Sequence, residues 1–282
     1  MKRINIATLC KIENINTYKP EKSNFHLAFY LLDKKKRIAI SNFYVLCNYL
    51  DDIVDGNEEL YTKKIRIKFW KDILYKTYYG KYKGLQPLTE LFRTYSIPFD
   101  LLFKVINGIA CDLYYNRHKN IQYLNKYCFG VAGVVGLICM HIFTDNKMNS
   151  NLSRYAINLG YALQYTNIIR DVAADYKRNY IYIPLSLMGK YNYREPEIAN
   201  HIYDKRFYKL INHLYRTTMD FYETADNYIK DENKSKLKSA ELMKNIYLEL
   251  LNKIKKNNFH IYEKKIKLTT FEKIKCMLKI IF

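Results

Sequence analysis

Along most of the chain, apolar residues recur at helical rather than strand spacing. Between Lys34 and Asp55, the positions of Ile38, Phe43, Leu46, Leu50 and Val54 predict a helix with these five residues in the core. Gly56 ends it. Pro98 precedes a helical stretch from Phe99 to about His118, and an apolar, glycine-bearing stretch follows from about Ile121 to Phe143. Asn149, Ser150 or Asn151 caps a further helix that runs to about Lys177. Two more helical stretches cover about Lys205–Lys230 and Ser235–Lys256, and Pro184 lies in a connector. Only Tyr180–Ile183 has any strand character, and it reads equally well as extended coil. Nine Gly and five Pro leave no proline between Phe99 and Tyr182 or after Glu197. That scarcity argues against a turn-rich β fold. The pattern predicts an all-α bundle of roughly ten helices. It reads as one domain over 1–282, with 1–20 as a poorly ordered lead-in.

The longest apolar run, Phe129–Met140, is shorter than the roughly 20 residues a bilayer crossing takes. It also carries Gly130, Gly133 and Gly136, and reads as a core helix rather than a membrane anchor. A content of 49 % apolar and 26 % charged residues excludes wholesale disorder. The net charge of +20 is unusual. It predicts an anionic partner (nucleic acid, anionic lipid or phosphorylated molecules) unless a mutational bias toward Lys, Asn, Ile and Tyr accounts for it. Lys and Arg are spread over the whole chain, without a zinc finger, an RNP-type motif or a localised basic helix, so no specific nucleic-acid partner is expected. The six Cys form no CxxC pair and the six His no HExxH motif, which leaves zinc and redox readings weak. The polar N-terminus carries no secretory signal, so reduced thiols and a cytoplasmic location are expected. The segment Phe271–Phe282 places Phe271, Ile274, Leu278 and Ile281 on one face, with Lys273 and Lys279 away from it. It fits either a basic amphipathic helix on the inner membrane face or a last core helix.

Two carboxylate stripes carry candidate chemistry. Asp51 and Asp55 are one helical turn apart, and Asn167, Asp171 and Asp175 continue one stripe over two turns. Like charges at this spacing cost a few tenths of a kcal/mol on a helix surface, and far more inside an apolar one. One reading is a solvated or salt-bridged surface; the other is a site for a divalent cation with oxygen ligands. The second stripe extends back through Gln164 and Gly160, where a missing side chain leaves room beside the helix. Arg170, Lys177 and Arg178 lie beside it, ready to neutralise phosphate. Two such stripes on facing helices suit ionisation of an allylic diphosphate. The departing diphosphate is stabilised by the cation and basic groups, and the carbocation is kept dry in an apolar cavity. Tyr127 and Phe129 either line that cavity or belong to a helix packed closely through its glycines.

At these residues the chain resembles the squalene/phytoene synthase family of head-to-head prenyl transferases. The resemblance runs from about Ser23 to Phe282. It is carried by Leu46-Cys47 with Asp51-Asp52-Ile53-Val54-Asp55, by Tyr127-Cys128-Phe129-Gly130-Val131-Ala132-Gly133-Val134-Val135-Gly136, and by Gln164-Tyr165-Thr166-Asn167-Ile168-Ile169-Arg170-Asp171 followed by Tyr180-Ile181-Tyr182-Ile183-Pro184. It implies an isoprenoid-synthase-type helical bundle around a central apolar cavity. It also implies Asp51, Asp55, Asn167, Asp171 and Asp175 as Mg²⁺ ligands on two prenyl diphosphates, with Arg170 and Tyr127 also catalytic. Asn24, Phe25, Tyr44, Asn48, Gln164, Arg170, Tyr247 and Lys264 are implied as substrate contacts. Two positions depart from the family pattern. Asn48 stands where Arg is usual, and Glu21-Lys22-Ser23-Asn24-Phe25 replaces a His-Ser-x-Ser-Phe type block. The segment Leu137–Phe143 and the basic tail look like the bacterial type that joins two farnesyl diphosphates to presqualene diphosphate or squalene. The alternative within the family joins two geranylgeranyl diphosphates to phytoene. NADPH is needed only if the reaction proceeds to squalene. A non-catalytic helical scaffold that has kept the fold is the alternative of another class.

Overall fold

The computed structural model describes residues 24–229 and 236–281, with the side chains of 24–26 and 281 left out. The lead-in expected over 1–20 and the Glu21–Ser23 block lie outside the described residues. The described residues form helices and one isolated parallel bridge, Arg117 to Ile181, with no strand. The all-α reading holds. The chain packs as two compact units. The first comprises the described residues of Met1–Tyr114 with Ile138–Met148; the second comprises those of Tyr115–Leu137 and Asn149–Phe282.

The first unit holds α1 (Asn24–Phe29), α2 (Lys34–Asp55), α3 (Leu60–Tyr78), α4 (Gln86–Thr94) and α5 (Phe99–Ala110). Asp33 caps α2 by accepting from the Lys36 amide, and Gly56 ends it. A side chain at Gly56 would stand 2.8 Å from the Asp52 carbonyl oxygen, so the stop requires glycine. Phe43, Leu46, Leu50 and Val54 are buried as expected, each such burial contributing about 1.5–3 kcal/mol. Ile38 is the exception at 52 % exposure. It lies off the stripe that α2 presents to α3, α4 and α5, and borders a surface groove with Phe29, Tyr30 and Arg37. The returning segment Ile138–Met148 is tied in by Lys36, whose ammonium donates to the Phe143 carbonyl (2.9 Å) and the Asp145 carboxylate (2.8 Å).

The helix expected to reach His118 stops at Ala110, with a 3₁₀ turn over Cys111–Leu113. Beyond it, 116–119 runs alongside 181–186: Ile181, Leu185 and Ser186 donate their amides to the carbonyls of Asn116, His118 and Lys119. The strand character at Tyr180–Ile183 is this single extended pairing.

The second unit is arranged around α8 (Ser150–Lys177), capped by Asn149 as expected. It packs on α6 (Ile121–Cys128), the π-helical turn Phe129–Gly133, α10 (Glu195–Ala199), α11 (Lys205–Asp226) and α12 (Lys238–Lys256). The short α9 (Leu185–Lys190) starts at Pro184, and α13 (Thr270–Ile281) packs on α12. Glycines set the tightest crossings. A side chain at Gly160 would lie 2.6 Å from the Ala132 carbonyl oxygen, and one at Gly136 2.7 Å from that of Ala156. Gly160 therefore makes room for a neighbouring backbone, which corrects its reading as space for a ligand. The helical run Ile121–Phe143 joins α6, the π turn and α7 (Val134–Phe143). By length and composition it is long and apolar enough to cross a membrane, unlike the shorter run read from the sequence; 56 % of its most apolar window is buried in the protein.

Candidate active site

On the first unit, Tyr44, Asn48, Asp51 and Asp55 follow one another along α2 at the spacing of a single helix face. Tyr44 and Asn48 are half-buried, and Asp51 and Asp55 are exposed. Asp51, Asp52 and Asp55 crowd the last two turns, which hold no basic residue in the final turn. Carboxylates at the negative pole of a helix dipole cost about 0.3–1 kcal/mol each, so this end attracts a cation. Lys63 donates to the Val54 carbonyl at 2.7 Å, closing one of the open carbonyls there. The Asn48 amide donates back to the Tyr44 carbonyl at 2.8 Å, so it is folded along its own helix. Burial and the nearby Asp51 push the Cys47 thiol well up, and burial pushes Cys139 up to about 12, so both stay protonated thiols. Asn24 lies on the first turn of α1; the side chains of Asn24 and Phe25 are outside the described residues.

On the second unit, Gln164, Asn167, Asp171 and Asp175 line one face of α8, and all but the buried Asp175 are half-buried. The Asn167 Oδ1 is buried without a hydrogen-bond partner. An orphaned acceptor of this kind costs about 1–3 kcal/mol. Arg170 grips the next residue with both arms of its guanidinium, Nε to Asp171 Oδ1 and a terminal nitrogen to Oδ2. Lys265 stands 3.0 Å from the same Oδ1. Burial pushes the Asp171 carboxyl up, but Arg170 and Lys265 outweigh it and hold it below the usual carboxylate range. Burial likewise works against the Arg170 charge, and Asp171, Tyr247 and Asp175 more than restore it. Tyr247 is buried on α12, and the structure brings it into this cluster with Arg170, Asp171 and Asp175. Asp175 meets Arg178 at 2.9 Å.

Lys264 is exposed, and its neighbour Lys265 reaches the acidic stripe. Sequence reasoning missed Lys265. Two adjacent lysines in an irregular segment have no periodicity to say which points inward.

Helix α8 ends on Asn179 at φ 66°, a left-handed cap, with the Arg178 and Tyr180 amides both donating to the Asp175 carbonyl. Arg117 clamps this turn, donating to the Asn179 carbonyl at 2.6 Å and to both oxygens of Glu195. Next to the clamped turn, Tyr180 is half-buried and Tyr182 buried. Tyr182 stacks on Tyr127 at 5.1 Å, His118 lies 5.2 Å from Tyr127 and 5.7 Å from Tyr182, and Tyr180 continues the stack at 5.9 Å. Burial pulls His118 down to about 4, so its imidazole is uncharged at neutral pH. A narrow crevice is bordered by Asp175, Tyr180 and Tyr182.

An amide oxygen and two carboxylates at one-turn intervals form an all-oxygen donor set, as a hard cation such as Mg²⁺ requires, and the orphaned Asn167 Oδ1 fits that use. No three carboxylate, imidazole or thiolate groups converge among the described residues; Asp171 and Asp175 are engaged by their cationic neighbours.

The helical architecture defines an all-α isoprenoid-synthase fold. Residues 19–272 match the family model for squalene/phytoene synthase, and the chain belongs to that family. It is similar to 15-cis-phytoene synthase of Synechococcus elongatus, 28 % identical over 268 residues, covering 91 % of this chain and 87 % of the relative. It is also similar to phytoene synthase of Mycobacterium tuberculosis, 27 % identical over 253 residues, covering 89 % and 83 %. Among solved structures, a dehydrosqualene synthase in complex with ligand superposes with a TM-score of 0.82 at 22 % identity, over 98 % of this chain and 94 % of that one. A squalene synthase of Alicyclobacillus acidocaldarius gives 0.78 at 16 % identity, over 90 % and 99 %. The family is one of prenyltransferases, and by membership this chain is a transferase.

Proposed function

We propose that this chain couples two prenyl diphosphates head to head with the help of Mg²⁺. The observation that carries the reading is Asn167, whose buried orphaned oxygen continues the stripe of Asp171 and Asp175. Asp51 and Asp55 are the metal-holding residues of the first unit, and Asn167, Asp171 and Asp175 those of the second. When bound, Mg²⁺ lowers the charge of the departing diphosphate. Arg170 and Lys265 then serve as diphosphate receptors, since both are cations already held at the acidic stripe. One substrate ionises to an allylic cation. The C2–C3 double bond of the second attacks it, and loss of a proton to the released diphosphate closes a cyclopropane. The uncharged faces of Tyr127 and Tyr182 suit a cation that must be kept from water.

Farnesyl diphosphate is the first reading, supported by the likeness of Leu137–Phe143 and the basic tail to presqualene diphosphate synthases, with NADPH required only for squalene. Geranylgeranyl diphosphate is the second, favoured by the names of the relatives at 27–28 % identity, which are phytoene synthases. The test is incubation with each substrate and Mg²⁺, with and without NADPH, and mass analysis of the lipid extract. Presqualene diphosphate or squalene supports the first reading, and phytoene the second. Neither product from either substrate overturns the proposal. Asp55→Ala and Asn167→Leu should each lower turnover at least about a hundredfold, with the fold intact by circular dichroism. Unchanged turnover in both would remove the metal assignment.

A further inference from the structure

The sequence left the last helix, α13, open between core and surface. Among the described residues, one face is anchored and the other uncovered. Thr269 and Glu272 form a reciprocal capping box at its start, Thr269 Oγ1 accepting from the Glu272 amide and Glu272 from the Thr269 amide. Both oxygens of Glu272 accept from Lys253 of α12 at 2.8 Å. Cys276 is buried, its thiol 3.7 Å from the Asn245 carbonyl. On the opposite side Phe271 is 77 % exposed, Ile274 40 % and Leu278 46 %. At 100° per residue these three fall within about 60° of arc, a narrow apolar stripe. Lys275 and Lys279 continue the same exposed side, and the exposed Lys267 precedes the helix. Its one acidic residue, Glu272, is already paired.

We propose that α13 docks this chain on an anionic lipid surface, with Phe271, Ile274 and Leu278 entering the headgroup–acyl boundary and Lys275 and Lys279 meeting the headgroups. Three features single out lipid over a second copy of the chain. The stripe is narrow, whereas a stable protein interface buries about 800 Å² per partner. Pairing two copies through it would bring like charges together on a chain of net charge +20. An apolar stripe flanked by lysines on a firmly anchored helix is the pattern of a helix lying in the plane of an interface. The inference does not depend on the proposed reaction.

The experiment is co-sedimentation of the full chain with vesicles of phosphatidylglycerol and phosphatidylcholine, and with phosphatidylcholine alone, at low and high salt. The chain should sediment with the anionic vesicles at low salt, release at high salt, and ignore the zwitterionic ones. Phe271→Ser with Leu278→Ser, or Lys275→Glu with Lys279→Glu, should each weaken binding about tenfold or more at an unchanged melting temperature. All four side chains are on the exposed side of the helix, so the fold should tolerate them. Absence of sedimentation with anionic vesicles at low salt overturns the proposal, as does binding unaltered by both double variants. A dimer in sedimentation velocity that Phe271→Ser dissolves, without vesicle binding, assigns the face to a second copy instead.

Discussion

His118 shows how one residue's surroundings become a measurable property of the protein. Its imidazole is buried between Tyr127 and Tyr182, and burial lowers its pKa to about 4, against about 6.5 in an unfolded chain. The folded state therefore resists taking up a proton that the unfolded state binds readily. Stability is at its full value above about pH 6.5 and declines as pH falls toward 4, by about 2–3 kcal/mol over that window. Urea midpoints at pH 7 and pH 5 should fall in the wild type and fall distinctly less in His118→Phe, which keeps an aromatic ring in the stack. Equal drops would show that His118 does not carry the effect. None of this was legible in the sequence, where His118 was merely the end of a helix. The acids on α8 were legible because helical spacing alone aligns Asn167, Asp171 and Asp175. Their engagement by Arg170 and Lys265 was not, since Lys265 comes from an irregular segment almost a hundred residues on.

At the scale of elements, the crossing of α8 with the π turn depends on Gly160. Replacing it by Ala would ordinarily gain about 1 kcal/mol in a helix interior. Here the added carbon meets the Ala132 carbonyl at 2.6 Å, and backbone must move, so Gly160→Ala should lose roughly 2 kcal/mol net. Gly189, also helical, has nothing within 4 Å, and Gly189→Ala should be neutral or stabilising. Denaturant midpoints of the two variants check this, and equal behaviour would remove the crossing from the account. Long helices with clear stripes and caps, α2 and α8, were legible almost to their ends. The helices α1, α3, α4, α9 and α10 were not located, nor was the halt of α5 at Ala110. Those boundaries follow from tertiary pairing, as where 116–119 aligns with 181–186. The apolar face of α13 was legible as a pattern. Whether it was covered depended on Cys276 and Glu272 fixing which side met α12.

For the whole molecule, net charge gave a direction without a place: +20 spread along the chain names an anionic partner but not its site. No shift in composition accompanies the passage from one compact unit to the other, because both are built of the same kind of helix. The division of the chain bears on the order in which the parts are made. The first unit draws on Ile138–Met148, where the Lys36 ammonium meets the Phe143 carbonyl and the Asp145 carboxylate. A fragment ending at Tyr114 should accordingly show no cooperative thermal transition by circular dichroism, whereas a sharp transition would prove it self-sufficient. During synthesis, the unit that leads the chain must wait on the ribosome until the apolar run Ile121–Phe143 has emerged behind it. Until α8 follows, that apolar run stays exposed on the nascent protein, and this is the step most open to chaperone capture or aggregation.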